Sequence, residues 1–136
     1  KLDFVESPVH ILIGELDDWT PANACLELIE DLKNSDKQFD NINITVYEQA
    51  HHSFDSKLPV TVIEEGYSFK DCMFELNDEG VPLMNWLNIP MRSPSLQKLG
   101  FSFCADRGPS IGGNEIAREK AFEFSKEFMS KYLLEN

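Results

Sequence analysis

Two polar loops in the first third of the chain carry the residues best suited to acid–base chemistry. The first loop covers residues 14–21 and contains Asp17, and the second covers residues 50–55 and contains His52. A carboxylate can fix the tautomer of an imidazole and stabilise its protonated form, while the other ring nitrogen takes a proton from a hydroxyl or thiol. The two loops together therefore predict the acid and the base that serve a nucleophile.

Each loop directly follows an apolar segment that is typical of a buried parallel strand. Residues 8–13 form a nearly continuous apolar run, and residues 43–48 form a second, β-rich run. Between them, apolar residues from Cys25 to Leu32 recur at helical spacing, which completes a right-handed βαβ unit. The carboxyl ends of neighbouring parallel strands lie at one edge of a sheet, where open α/β sheets place their sites. We therefore expect the two loops to lie side by side.

Capping residues set the expected bounds of two helices. Thr20 is expected to cap the first helix, with Pro21 at its first position and Asn34 near its end. Asn114 is expected to cap the last helix. The apolar stripe of that helix comprises Ala117, Ala121, Phe124, Phe128 and Tyr132.

The segment 57–113 has a different pattern. It contains short β-like pieces at residues 60–63, 69–76 and 81–87, and residues 77–80 are expected to form a hairpin turn. Prolines and a glycine cluster then predict irregular chain up to the last helix. The prolines are Pro90, Pro94 and Pro109, and the cluster runs from Gly108 to Gly113.

The sequences of both loops resemble those of proteins with the α/β-hydrolase fold and, within that fold, of the dienelactone hydrolase family. The first loop reads Gly-Glu-Leu-Asp-Asp-Trp-Thr-Pro-Ala and the second reads Ala-His-His-Ser-Phe-Asp. The resemblance implies an α/β chain that forms the C-terminal part of a hydrolase parallel sheet. Residues 1–56 and 114–136 would form that C-terminal core, and residues 57–113 would be an insertion. All 136 residues would form one partial domain.

Carried over by motif register, the resemblance makes Asp17 the triad acid and His52 the general base, in preference to their neighbours Asp18 and His51. The family's nucleophile, a Ser or Cys on a Gly-x-Ser/Cys-x-Gly turn, belongs to the half of the fold that precedes the acid. We therefore expect it upstream of Lys1. Residues 108–112 do read Gly-Pro-Ser-Ile-Gly, but Ser110 follows the histidine and is not joined directly to a helix, so it is not expected to be the nucleophile.

Other roles for these residues stay open from sequence alone. Asp17 and Asp18 could simply favour the N-terminus of the next helix. The two histidines could bind a metal with Asp17 or Asp55, although adjacent histidines seldom direct both rings to one ion, and no metal or cofactor is expected. His10 is expected to be a core or edge histidine. The aromatic residues Trp19, Phe54 and Trp86 could line a pocket or only pack.

The amino-acid composition limits which kinds of binding partner are expected. Acidic residues outnumber basic ones by 24 to 12, which gives a formal net charge of −12 and argues against nucleic acid and anionic membrane surfaces. Apolar runs are too short to span a membrane. The three cysteines, Cys25, Cys72 and Cys104, lack metal-site spacing and do not suggest a disulfide framework, although one bridge is compatible with them. Their thiols favour a reducing cytoplasm only slightly, so the compartment is left undetermined.

Two hypotheses follow from the sequence. In the first, the chain supplies the acid and base of an ester or lactone hydrolase, and is inactive without the upstream half that holds the nucleophile. Its partners would be a small ester or lactone and that N-terminal half. In the second, it is a non-catalytic binding or assembly module on the same scaffold. In either case the exposed sheet edge predicts a covering partner, or a second copy in a homo-oligomer.

Overall fold

The computed structural model describes residues 7–34, 39–84 and 87–134. It contains three helices, nine strands and four small sheets within those ranges. The strands are β1 (Val9–Gly14), β2 (Ile42–Tyr47), β3 (Thr61–Val62), β4 (Tyr67–Ser68), β5 (Phe74–Leu76), β6 (Pro82–Met84), β7 (Ile89–Pro90), β8 (Asp106–Arg107) and β9 (Ser110–Ile111). The helices are α1 (Ala22–Lys33), α2 (Pro94–Phe101) and α3 (Glu115–Leu133).

The predicted βαβ unit is present. β1 and β2 pair in parallel, with Val9 opposite Ile42 and Gly14 opposite Tyr47, and α1 connects them. Helix α1 packs on one face of this sheet through Ile29 and Leu32. This pairing brings the ends of both strands to one edge, as the sequence predicted. It is the one parallel sheet among the described residues, so the structure is mixed α and β, and a full hydrolase sheet is not part of it.

Helix α3 covers the other face of the β1–β2 sheet. Its Ala117 and Ala121 are buried against Tyr47, with Leu12 of β1 packed beside them. Asn114 caps this helix by accepting a bond from the backbone N–H of Ala117 at 3.0 Å. The predicted cap is therefore confirmed.

His10 is partly buried between the β1–β2 sheet and α3, which fits the expectation of a core or edge histidine. It faces α3, where its ring lies 4.3 Å from that of Phe124, and its Nε2 is 2.8 Å from the hydroxyl of Thr45. Burial lowers the pKa of His10 below its ordinary value of 6.5, because the protonated ring is poorly solvated in this position. His10 therefore belongs to the packing of the sheet rather than to the loops at its far end.

Residues 57–113, which we call the inserted segment after the expectation above, are held by very short antiparallel ladders. β3 pairs with β9, β4 pairs with β8, and β5, β6 and β7 form a three-stranded meander. The turn between β5 and β6 closes as predicted, with the N–H of Asn77 bonded to the carbonyl of Val81 at 3.2 Å. Two other features complete the segment: a cluster of Met84, Ile89 and Met91, and a disulfide between Cys72 and Cys104.

Two expectations about local structure need correction. The chain around Pro94 is helical rather than irregular, because the Ser93 side chain caps α2 and the proline occupies its first turn. Thr20 does not cap α1: Pro21 is the N-cap residue, without a side-chain cap bond, and the Thr20 hydroxyl turns to Asp17 instead. The disulfide between Cys72 and Cys104 is the one bridge with which the sequence was compatible.

Two further observations concern the described ranges only. None of their helices is long and apolar enough to cross a membrane. Trp86, which could have lined a pocket, lies outside the described residues, so its role stays a prediction.

Candidate functional site

Asp17 and His52 meet where β1 and β2 end. The Oδ2 atom of Asp17 lies 2.9 Å from Nδ1 of His52, and the Asp17 side chain is 7% exposed against 33% for that of His52. The sequence ranked these two residues above Asp18 and His51, and the structure brings the ranked pair together.

The backbone joins the two loops on both sides of this contact. The N–H of Glu15 donates to the carbonyl of Tyr47 at 2.9 Å, and the N–H of Leu16 donates to the carbonyl of Ala50 at 2.8 Å. Gly14 is required at this crossing because a Cβ there would lie 2.2 Å from the carbonyl oxygen of Ala50. The sheet register and this close approach therefore set the separation of the acid and the imidazole.

The carboxylate of Asp17 is fully used. Its Oδ1 accepts the backbone N–H groups of Trp19 and Thr20 at 3.0 and 2.7 Å, which is a local turn that aspartate commonly forms. Its Oδ2 accepts the Thr20 hydroxyl at 2.9 Å as well as His52. Asp17 therefore orders its own loop through both oxygens and also binds the imidazole through Oδ2.

This arrangement selects the tautomer of His52. The acceptor beside Nδ1 is a carboxylate oxygen, so the Nδ1–H form makes the hydrogen bond and Nε2 carries the lone pair. No residue in the described ranges bonds to Nε2 of His52. The ring therefore presents an unoccupied basic nitrogen, as a general base requires.

A cleft of about 420 Å³ adjoins this imidazole. Its walls include Leu12 and Ile13 of β1, Phe122 and Ser125 of α3, and Phe54 and Asp55 of the histidine loop. In the described residues β1 pairs with β2 alone, so its second edge borders this cleft with unpaired backbone groups. Trp19 covers the imidazole from another side, with ring centres 5.0 Å apart.

Phe54 has a packing role, because it is buried against the ring of Tyr47 at 5.0 Å as well as bordering the cleft. Thr20 is the site residue that sequence reasoning missed. Its spacing three residues after Asp17 was the available signal, but the same spacing also suits a helix cap. Its hydroxyl is 3.3 Å from Nδ1 of His52, which places it in the same network as the acid and the base.

Ser110 lies close to the site but is bonded to different partners. Its Oγ is 2.8 Å from Nδ1 of His51 and 3.0 Å from Oδ1 of Asp18. A nucleophilic serine needs its hydroxyl directed at the base, whereas this hydroxyl donates to a carboxylate. Helix α3 also begins at Glu115 rather than directly after the serine. Both findings agree with the expectation that Ser110 is not the nucleophile.

The described cysteines do not supply a nucleophile or a metal site. Cys72 and Cys104 are joined, and the pKa of the Cys25 thiol is raised by its burial and by the negative charge of Asp17, which disfavours the reactive thiolate. No group of three or more metal-ligating side chains occurs in the ranges that the structure describes. The histidine pair divides its bonds between two partners, Asp17 and Ser110, rather than pointing at one centre.

The comparisons with known proteins do not add an assignment. No family model, no curated protein and no solved structure matches the chain.

Proposed function

We propose that this chain carries the acid and the general base of a hydrolase that cleaves ester or lactone bonds through a covalent acyl intermediate. The observation that carries the proposal is the 2.9 Å contact between buried Asp17 and Nδ1 of His52, with Nε2 directed away from the carboxylate. The resemblance of both loops to the dienelactone hydrolase family supports the same reaction class.

In the proposed reaction, Nε2 of His52 removes the proton of a hydroxyl or thiol as that group attacks the ester carbonyl. Asp17 stabilises the imidazolium that forms and stays ionised throughout. The imidazolium then returns the proton to the leaving oxygen, which breaks the ester bond and leaves the acyl group on the nucleophile. In the second half of the cycle Nε2 takes a proton from water as the water oxygen attacks the acyl carbon. The imidazolium then returns that proton to the nucleophile, whose bond to the acyl group breaks and releases the acid.

We further propose that the nucleophile lies on polypeptide outside this sequence that occupies the cleft beside β1. That cleft borders both the open edge of β1 and the imidazole. A strand added there in parallel would satisfy the unpaired backbone groups of β1 and would end beside His52. The proposed α/β-hydrolase sheet would then extend from the two parallel strands of this chain.

The charge of the cleft favours uncharged or cationic substrates. Asp17 and Asp55 line it, and no lysine or arginine is among its lining residues in the described ranges. The chain as a whole carries a formal charge of −12. A substrate with a free carboxylate would be repelled, so we expect a nitrophenyl ester of butyric acid to react faster than one of a dicarboxylic acid.

Active-site labelling of the intact protein that contains this sequence tests the proposal. The protein is treated with a fluorophosphonate and with a nitrophenyl ester, and the modified residue is mapped by mass spectrometry. A labelled Ser or Cys outside the printed sequence, together with loss of labelling in Asp17→Asn, supports the proposal. Labelling at Ser110 would overturn the assignment of the nucleophile.

The second candidate is a non-catalytic assembly module. The open edge of β1 and the exposed Phe122 beside it favour this candidate, because both could bind a partner without any chemistry. The same experiment separates the two candidates. Absence of labelling and of ester hydrolysis in the intact protein would overturn the hydrolase and favour the assembly module.

A further inference from the structure

One serine of the inserted segment bonds to the neighbours of both proposed catalytic residues. Ser110 contacts Asp18, which follows Asp17, and His51, which precedes His52. It is separated from them by 92 and 59 positions in the chain. This contact is therefore a tertiary one, made by a segment outside the βαβ unit.

The backbone N–H and the hydroxyl of Ser110 both have partners in this cluster. Its backbone N–H donates to Oδ1 of Asp18 at 2.8 Å, and its hydroxyl donates to the same oxygen at 3.0 Å. The remaining lone pair of Oγ faces Nδ1 of His51 at 2.8 Å, so the ring donates there. The serine thus links a carboxylate in the first loop to an imidazole in the second.

Neighbouring contacts of the inserted segment reinforce this link. The hydroxyl of buried Ser68 donates to the carbonyl of Asp18, so Asp18 is bound through both its backbone and its side chain. The N–H of Gly112 donates to the carbonyl of His52 at 2.9 Å, and Ile111 forms a parallel bridge with His52. Both loops are therefore attached to β9 and the residues beside it.

The loop that carries His51 and His52 needs such support because the backbone on either side of the two histidines is strained. Gln49 and Ser53 have φ angles of +55° and +58°, a region that residues other than glycine rarely adopt. Conformations of this kind cost about 1–3 kcal/mol each and persist only where surrounding contacts enforce them. The two strained residues flank His51 and His52 in the chain. The orientation of His52 therefore depends on contacts made outside its own loop.

We propose that Ser110 is a positioning residue that acts through Asp18 and His51 to hold Asp17 and His52 in register. This inference rests on the proposed function for its relevance to catalysis. Ser110 itself does not touch the substrate or the reacting atoms. Its hydroxyl aligns the two loops so that Nδ1 of His52 stays on the carboxylate and Nε2 stays directed into the cleft.

The tautomer of His52 reports directly whether Ser110 holds this ring in position. Long-range ¹H–¹⁵N spectra of the imidazole rings show which nitrogen carries the proton, and in the wild-type protein we expect the Nδ1–H form to dominate for His52. In Ser110→Ala we expect the ratio of Nδ1–H to Nε2–H forms to fall about five- to tenfold, the size expected for loss of one hydrogen bond. Ser110→Thr, which keeps the hydroxyl, should restore the wild-type ratio.

Two further variants keep the test decisive. Ser102→Ala removes a hydroxyl from the same segment that donates to the carbonyl of Leu99 instead, and it should leave the His52 ratio unchanged. Asp18→Asn keeps an acceptor but loses the charge, so it should shift the ratio in the same direction by a smaller factor. If Ser110→Ala does not fold, Asp18→Asn decides the question.

The tautomer ratio of His52 and the ester hydrolysis test different proposals. An unchanged His52 ratio in folded Ser110→Ala, or in Asp18→Asn where the alanine variant does not fold, overturns the positioning role even if the intact protein hydrolyses esters. A shifted ratio restored by threonine supports the role even if ester hydrolysis is absent. In an active protein, Ser110→Ala should also lower kcat with little change in KM, because the substrate contacts remain.

Discussion

The βαβ unit with α3 and the inserted segment stabilise the same site by different physical means. The first region is held by apolar contacts on both faces of a six-residue parallel ladder. The second has ladders of only two or three residues, one disulfide and a set of polar contacts with the site loops. The comparison indicates that the packed core determines where Asp17 and His52 lie, whereas the weaker region determines how their side chains are oriented.

Among the variants that test this comparison, the largest effect is expected on catalysis, at the point where the two regions meet. We expect Asp17→Asn to lower kcat/KM of the intact protein by a factor on the order of 10⁴, because the amide disturbs the His52 tautomer. The fold should persist, since Oδ1 can still accept its two backbone donors. Steady-state kinetics with a nitrophenyl ester measure this.

Asp55→Asn is the matched control for that variant. Asp55 lines the same cleft but makes no bond to His52. The Asp55→Asn substitution should therefore lower kcat/KM by less than about tenfold. Equal losses in the two variants would contradict a specific role for Asp17.

The second prediction concerns the inserted segment alone. Replacing both Cys72 and Cys104 by serine opens a link across 32 positions, which costs about 3–4 kcal/mol by loop-closure entropy. Hydrogen exchange should then accelerate at the amides of β5 to β8, while those of β1 and β2 stay protected. Uniform acceleration in both regions would mean that they unfold as one unit and would remove the basis of the comparison.

The third prediction concerns the crossing of the two loops in the core. Gly14→Ala should destabilise the protein by about 1–3 kcal/mol, because its Cβ meets the carbonyl of Ala50. In Gly80→Ala the added Cβ meets no atom within 4 Å, but the alanine must adopt a φ of +74°. This variant should therefore lower the free energy of unfolding by about 1 kcal/mol. Urea unfolding of both variants measures the difference, and a larger loss at Gly80 would contradict the account.

The smallest effect is the pH dependence due to His10. Its pKa is lowered by burial in the folded state, so the unfolded chain binds the proton first as pH falls below 6.5. The contribution of neutral His10 to stability is therefore present above pH 6.5 and is lost as the pH falls through that value. His10→Gln should reduce the loss of stability between pH 7.5 and pH 5.5, and an undiminished loss would show that other groups cause it.

The sequence predicted the regular elements because their signals are local. Apolar runs defined β1 and β2, helical spacing defined α1 and α3, and motif register ranked Asp17 and His52 above their neighbours. The hairpin at residues 77–80 was predicted for the same reason, since its turn residues are adjacent in the chain.

The remaining features depend on contacts between distant residues. The Cys72–Cys104 pair, the ladder of β3 with β9 and the contacts of Ser110 join positions that no local pattern relates. Thr20 shows the same limit at short range, because a helix cap and a bond to Asp17 require the same residue type, and only the tertiary position of His52 favours the second.

The central claim is that His52, and not the adjacent His51, is the general base. The most direct test compares kcat/KM for ester hydrolysis by the intact protein in His52→Ala and His51→Gln. We predict a loss on the order of 10⁵ to 10⁶ for His52→Ala and about tenfold for His51→Gln, which loses only a contact to Ser110. Equal losses in the two variants, or full activity in His52→Ala, would contradict the account.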